Sequence, residues 1–118
     1  MNISDYTPNL TNLSEIFTVF GQEERLRIFL AIGQDHACVC HLEKVLGLRQ
    51  AYISQQLMLL RKAGLVVTER CGRHIFYSIP DPRWLELVAT AALIANIPLP
   101  SFDLPEIEGC SYPSCSSK

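Results

Sequence analysis

Between residues 39 and 64 the apolar side chains keep helical spacing on both sides of a single glycine. Val39, Leu42, Val45 and Leu46 form one short stripe, and Gly47 stops it. Leu48 and Arg49 bridge to a second stripe of Ile53, Leu57 and Leu60, over about residues 50–63, with Gly64 as its stop. A short helix, a tight glycine-containing turn and a longer helix make a helix-turn-helix pattern. Two helices joined so closely must cross at an angle and share one core, which leaves few folds open.

The flanks agree with that pattern. Leu10, Leu13, Ile16, Phe17 and Phe20 predict a first helix that Gly21 breaks. Leu26, Ile28, Phe29 and Leu30 predict a second over about residues 22–32, stopped by Gly33. Residues 65–68 and 75–79 are β-branched and aromatic runs. Residues 69–74 lie between them with Gly72 as the turn residue, so the stretch reads as a β-hairpin. A last helix is expected from Asp81 as N-cap and Pro82 as first helical residue to about residue 95, where Pro98 and Pro100 end it. It is apolar on nearly all sides, so it is expected to be buried, with another subunit as its cover. The expected architecture is mainly α with a β-hairpin: a dimeric winged helix-turn-helix over residues 10–98. Residues 1–9 read as a flexible arm, and the Ser-, Pro- and acid-rich residues 99–118 as a flexible tail carrying cysteines.

The chain of 118 residues fits one domain. Its longest apolar stretch, residues 85–99, is broken by Glu86, Thr90, Asn96 and Pro98, and a membrane span needs about 20 apolar residues. Residues 1–5 carry no basic region and no apolar run, so no secretory signal is expected and the cytoplasm is the expected compartment.

The formal net charge of −2 argues against nucleic acid until its distribution is read. Residues 1–43 carry a net of −4, whereas residues 44–74 hold six bases against Glu69, a net of +5. Such a block is a candidate phosphate-facing surface, although a charge run alone usually marks a solvated face. The second helix of the pair adds the chemistry. With Ile53, Leu57 and Leu60 turned inward, its outer face is Ala51, Gln55, Met58 and Lys62, with Gln50, Tyr52 and Ser54 beside it near the N-terminal end. A recognition helix sets its N-terminal residues against base edges in the major groove. Ala51 lets the backbone approach, and Gln55 can pair with adenine. Arg49, Arg61 and Lys62 suit phosphates, and Arg70, Arg73 and His74 would sit at the hairpin tip against the backbone or minor groove. Charge block, groove-facing helix and basic hairpin together favour double-stranded DNA over a protein-binding module.

Five cysteines with no secretory signal do not make a complete disulfide framework, so reduced thiols are the default. Residues two apart on a helix point about 200° from each other. Cys38 and Cys40 can therefore share one ion only if the helix begins at or after Cys38. Burial of a small apolar side chain is the simpler explanation of such a pair. Cys110 and Cys115 lie in a polar tail, where burial does not account for them; a ligand pair, a redox pair or an unselected accident are the alternatives. Cys71, at the hairpin tip, reads as a lone exposed thiol. Two pairs offer up to four soft thiolates, which select As(III), Sb(III), Cd(II), Pb(II), Zn(II) or Cu(I). His36, His41 and His74 show no zinc-type spacing, so a mixed histidine site is less attractive. An enzyme using Cys38 or Cys40 with His36 or His41 would lack an acid to orient the base.

Over roughly residues 10–95 the sequence resembles the ArsR/SmtB family of metal-responsive winged-helix repressors. Cys38-Val39-Cys40-His41-Leu42 is similar to the family's thiolate metal box. Ile53-Ser54-Gln55-Gln56-Leu57-Met58-Leu59-Leu60-Arg61-Lys62-Ala63-Gly64-Leu65-Val66 is similar to its recognition helix, and Gly72-Arg73 followed by Phe76-Tyr77 to its wing. The resemblance implies a homodimer built through the first and last helices, bound to an inverted-repeat operator and released by an inducer. Two features depart from the pattern. The arm holds no Cys or His before His36, where some members place a ligand, and the last helix offers only Glu86 where zinc-type members place Asp and His. Other members supply thiols from a C-terminal tail, which Cys110 and Cys115 suit. The expected sensor site is thus Cys38 and Cys40 with one or both tail cysteines, taking As(III)/Sb(III) or Cd(II)/Pb(II). The nearest alternative is the same repressor switched by disulfide formation, and a metal-buffering protein that binds no DNA stands further off.

Overall fold

The computed structural model describes residues 10–107. Its elements run α1 (Leu10–Phe20), α2 (Glu23–Ile32), α3 (Val39–Leu46), α4 (Gln50–Lys62), β1 (Val67–Cys71), β2 (His74–Ser78) and α5 (Arg83–Ala95). Local chemistry sets most of the boundaries. The Gln22 side chain accepts the Arg25 backbone N–H at 2.8 Å and starts α2. Gly47, at φ +69°, closes α3 in the left-handed region, with its N–H donating to the Glu43 carbonyl. A Cβ is disfavoured there, so the turn of the helix pair depends on this glycine.

Helices α2, α3 and α4 enclose the main core. Ile28, Phe29, Ile32, Leu42, Ile53, Leu57 and Leu60 have no exposed surface, and Leu65 and Val66 close the base just past α4. Each such side chain contributes about 1.5–3 kcal/mol by burial. The inward stripe of α4 is therefore the one its spacing predicts.

The hairpin is tighter than its composition suggests. β1 and β2 pair antiparallel from Val67 opposite Ser78 to Cys71 opposite His74, leaving only Gly72 and Arg73 as the turn. Gly72 is at φ +68°, as a primed two-residue turn with glycine first requires. The expected link over residues 69–74 is thus corrected: Glu69, Arg70, Cys71 and His74 belong to the strands. Glu69 and Arg70 are exposed although they are paired in the strand, so their polarity does not mark a loop. One more pairing extends the wing. Ala37, just before α3, exchanges two backbone hydrogen bonds with Tyr77, at 2.9 and 2.7 Å.

Helix α5 begins at Arg83, one residue later than expected. Asp81 Oδ1 accepts the Arg83 N–H at 3.0 Å, and its carboxylate meets the Arg83 guanidinium at 2.7 Å. These hydrogen bonds hold the Asp81 carboxyl down at about 2. Trp84, Leu85 and Val88 pack onto the core, with the Trp84 ring 6.2 Å from Phe20. No residue of α5 is fully buried, and Leu93 and Ile94 are 79% and 81% exposed. An apolar hollow of about 390 Å³ lies between α5 and α1, lined by Phe17, Leu87, Ala91 and Ala95 among others. Asn96 closes the helix at φ +61°, a conformation asparagine tolerates better than other side chains. Beyond it, Phe102 and Leu104 pack against the main core. Among the described residues no helix is long and apolar enough to cross a membrane.

Candidate functional site

Cys38 lies on extended chain, at φ −94° and ψ 169°, immediately before α3, and Cys40 lies in the first turn. That break in helical geometry lets two thiols that would otherwise diverge meet. The two sulfurs are joined in a disulfide. The condition set by the Cys-x-Cys spacing, a helix beginning after Cys38, is the one the fold adopts.

His41 completes this corner, although it belongs to no zinc-type histidine spacing. Its Nδ1 accepts the Cys38 backbone N–H at 3.1 Å and lies 3.3 Å from Cys38 Sγ. Cys38 Sγ, Cys40 Sγ and a ring nitrogen of His41 all fall within 4.8 Å of one another. Cys38 and His41 are 3% and 6% exposed. The signal was a side-chain acceptor three residues after the cap, the spacing of a capping box with imidazole in place of a carboxylate.

Cys71 is not the exposed thiol its hairpin position suggests. It is 4% exposed and shares a small apolar cluster with Cys38 and Phe76, against which Cys40 and Ile107 pack. Because the strand continues to Cys71, side-chain alternation puts it on the same face as Phe76 and turns it toward α3. All three described cysteines are disulfide-bonded, Cys38 to Cys40. Cys110 and Cys115 lie outside the described residues.

The N-terminal half of α4 and the hairpin adjoin this corner. A hollow of about 340 Å³ is lined by Cys38 just before α3, Val39 and Cys40 in its first turn, Gln50 and Ser54 from α4, and Arg73, His74, Ile75 and Tyr77 from the hairpin. The fold thus brings Gln50, Ser54, Arg73 and His74 together with the thiol pair. Arg49, Gln50, Ala51 and Gln55 are exposed along the N-terminal half of α4, and Tyr52 is half-buried. The Tyr52 hydroxyl accepts a hydrogen bond from the Gln22 amide at 3.2 Å, which ties it to the start of α2. Arg73 is exposed at the wing turn, and Arg70 Nη1 reaches the Gly72 carbonyl at 3.4 Å. Arg61 and Lys62 sit at the far end of α4, about 16–18 Å along its axis from Gln50. Lys62 lines a separate hollow with Glu15 and Thr18 of α1, so it does not join the cluster at the wing.

This region matches known proteins. Residues 22–68 match the bacterial regulatory protein family arsR. The chain is 37% identical over 76 residues to an uncharacterized HTH-type transcriptional regulator of Methanocaldococcus jannaschii, a match spanning 64% of this chain and 85% of that protein. The chain belongs to the ArsR family.

It is also 31% identical over 80 residues to a transcriptional repressor SmtB homolog of Synechocystis sp., across 68% of this chain and 61% of that one. The arsenic resistance transcriptional regulator ArsR1 of Pseudomonas putida is 32% identical over 84 residues, across 69% and 66%. The chain thus spans slightly less than two thirds of these two relatives. Among solved structures, M. tuberculosis Rv0081 superposes with a TM-score of 0.68 at 33% identity, covering 76% of this chain and 92% of that one. The transcriptional repressor BigR from Xylella fastidiosa superposes at 0.66 and 26% identity, covering 80% and 96%. These neighbours share the winged helix-turn-helix, and the relatives are named as regulators rather than enzymes.

The ArsR-family match holds α2, α3, α4 and the first residues of β1. It therefore includes the Cys38–Cys40 corner and the whole of α4 and stops short of Cys71. It also includes a polar link that sequence reading passed over. Gln56 falls in the apolar register of α4 and is buried, and its Oε1 accepts from Arg25 Nη1 at 2.9 Å. Arg25 Nε in turn donates to the Val19 carbonyl at 2.8 Å. A glutamine three places after Ile53 and one before Leu57 was the available signal, since a polar side chain on an inward stripe needs a partner.

Proposed function

We propose that this ArsR-family chain is a thiol-sensing transcriptional repressor that binds operator DNA as a homodimer and releases it when a thiophilic ion binds its cysteines. One observation carries this reading. The donor atoms of Cys38, Cys40 and His41 converge within 4.8 Å, and the two thiols line the same hollow as Gln50, Ser54, Arg73 and His74. Whatever reshapes the start of α3 acts on the reading face without any intermediate relay.

The donor set fits a soft ion. Two reduced thiols offer thiolate donors, which favour As(III), Sb(III), Cd(II) and Pb(II) over hard cations. His41 Nδ1 would have to surrender the Cys38 N–H to coordinate, a loss of about 1 kcal/mol, so in this reading it orients the corner. The tail extends the set. Ile107 packs on the Cys38 and Cys71 cluster, and Cys110 follows three residues later. Cys110 and Cys115 lie outside the described residues and are retained as further donors, from the same protomer or its partner.

On the DNA side, Gln50, Ala51, Ser54 and Gln55 face base edges, and Arg49, Arg70, Arg73 and His74 hold backbone on either flank. Arg61, Lys62 and Tyr52 are supporting contacts. Two protomers joined through α1 and α5 would meet an inverted repeat. A regulator of this kind works in the cytoplasm, where thiols stay reduced.

By linkage, an ion that prefers the DNA-free form weakens DNA binding by the coupling free energy, typically about 5–150-fold. Operator affinity is to be measured by fluorescence anisotropy on the promoter of the protein's own gene, under a phosphine reductant, with and without As(III), Sb(III), Cd(II) and Pb(II). Wild type should lose affinity within that range with at least one ion, and the double variant C38S/C40S should not respond. Operator binding unchanged by all four ions would overturn the reading.

A second reading is favoured by the Cys38–Cys40 disulfide: the same repressor switched by thiol oxidation. Release by peroxide without ions, and none by As(III) under reductant, would select it.

A further inference from the structure

We propose that Arg25 is a positioning residue for the sequence specificity of α4. With Gln22 it fixes the rotation of that helix about its own axis, and so the base edge that Gln55 meets. This rests on the reading of α4 as the base-reading helix and names what aims it.

The apolar stripe does not set that rotation by itself. Ile53, Leu57 and Leu60 hold α4 by burial, and burial is non-directional, so a small turn of the helix costs it little. Hydrogen bonds depend on direction and weaken steeply when misaligned. Two of them reach α4 from the start of α2. The Arg25 guanidinium donates through Nη1 to Gln56 Oε1 at 2.9 Å, and the Gln22 amide donates through Nε2 to the Tyr52 hydroxyl at 3.2 Å. Tyr52 and Gln56 stand one above the other on α4, about 6 Å apart along its axis. One attachment would leave a pivot, whereas two at that spacing set both rotation and tilt.

The attachments are themselves held. Arg25 Nε donates to the Val19 carbonyl at 2.8 Å, so the planar guanidinium is fixed at two of its corners. Gln22 Oε1 accepts the Arg25 backbone N–H at 2.8 Å, so that amide is engaged at both ends. Val19 and Leu59 line a hollow of about 290 Å³ between α1 and α4. Close packing therefore does not lock the two helices there, and the Arg25 fork joins them instead. Gln56 is 7% exposed, and a buried amide deprived of its partner is penalised, which keeps the link closed.

The aim follows from adjacency. Ala51 and Gln55 directly precede Tyr52 and Gln56, and both are exposed. Each clamped residue carries its exposed neighbour with it. At the surface of a helix, a rotation of about 20° moves a side chain by about 2 Å, enough to break paired hydrogen bonds to a base.

The test uses the full chain under a phosphine reductant without added ions. Footprinting on the promoter of the protein's own gene locates the operator. Fluorescence anisotropy then reads affinity for that operator, for each single base-pair substitution in it, and for a non-cognate duplex of the same length. A substituted base pair in a read site typically costs about 5–150-fold. Q56M keeps side-chain length and charge but removes the acceptor, Q56E keeps an acceptor, and R25M removes the donor. In Q56M and R25M the largest base-pair discrimination is expected to fall below about 5-fold. The non-cognate affinity of Q56M should equal that of wild type, and Q56E should keep the wild-type ranking of base pairs. Thermal midpoints show which variants are folded, and if Q56M is not, R25M decides. Wild-type discrimination in a folded Q56M or R25M would overturn the proposal. So would an equal loss of cognate and non-cognate affinity in Q56M, which marks a merely structural link, or lost discrimination in Q56E. Each of these leaves the repressor reading standing, whereas absence of operator binding by wild type would overturn both.

Discussion

Helices α4 and α5 are both thirteen residues long, and α5 is the more apolar, with ten apolar residues against seven. Yet α4 buries Ile53, Gln56, Leu57 and Leu60, and α5 buries nothing completely. The difference lies in arrangement. The apolar residues of α4 fall on one stripe that α2 and α3 can cover, so a few side chains carry its whole attachment. Those of α5 run around the helix, and one chain can cover only the side bearing Trp84, Leu85 and Val88. An apolar total thus measures how much cover a helix needs, and periodicity tells whether its own chain supplies it.

The largest expected effect tests the first half of that contrast. Leu57→Ala removes a side chain with no exposed surface and should cost about 2–5 kcal/mol. Urea denaturation followed by helical circular dichroism measures it. A loss below about 1 kcal/mol would mean that α4 is not held by its stripe.

The next tests the second half. Leu93 and Ile94 stand exposed beside the apolar hollow between α5 and α1. If a second copy covers them, each contributes about 1.5–3 kcal/mol to association. The double variant L93E/I94E should then sediment as a folded monomer at concentrations where wild type is a dimer. Unchanged sedimentation would remove α5 as the dimer surface, and a monomeric wild type would remove the dimer.

The same contrast explains what could be read from the sequence. Helix positions followed from apolar period and glycine stops, because the core of α2, α3 and α4 is made by the residues that show the period. The Cys38–Cys40 geometry was legible as a condition on where α3 begins, and Cys38 as the cap residue meets it. Cys71 was misplaced because a strand face is decided by pairing register with β2, a non-local fact that the polar run of residues 69–74 hides. His41 and the Arg25–Gln56 link were passed over for a related reason. Each is a polar group whose partner is fixed by a cap or by packing across helices, and neither forms a spacing motif of its own. The uncovered side of α5 was legible as excess apolarity, while its cover depends on molecules beyond the chain.

The smallest effect concerns how α5 starts, given that burial does so little to place it. Its entry relies on a local device, the Asp81 carboxylate bonded to the Arg83 N–H and guanidinium. Those bonds lower the Asp81 pKa from 3.8 to about 2. A carboxylate whose folded pKa lies below its unfolded one adds stability that is fully present above the unfolded value and is lost as pH falls through the folded one. Asp81→Asn keeps a capping oxygen and removes the charge. The thermal midpoint of D81N should therefore lie slightly below that of wild type from pH 7 down to about 4, with the gap closing between about pH 4 and 2. The gap should be small, because the pair is open to water, and it should shrink further with added salt. An equal gap at pH 2 and pH 7 would show that the amide disturbs the cap itself. In that case the charge is not what sets the start of α5, and its position depends on Trp84 and Leu85 against the core, as the position of α4 depends on Leu57.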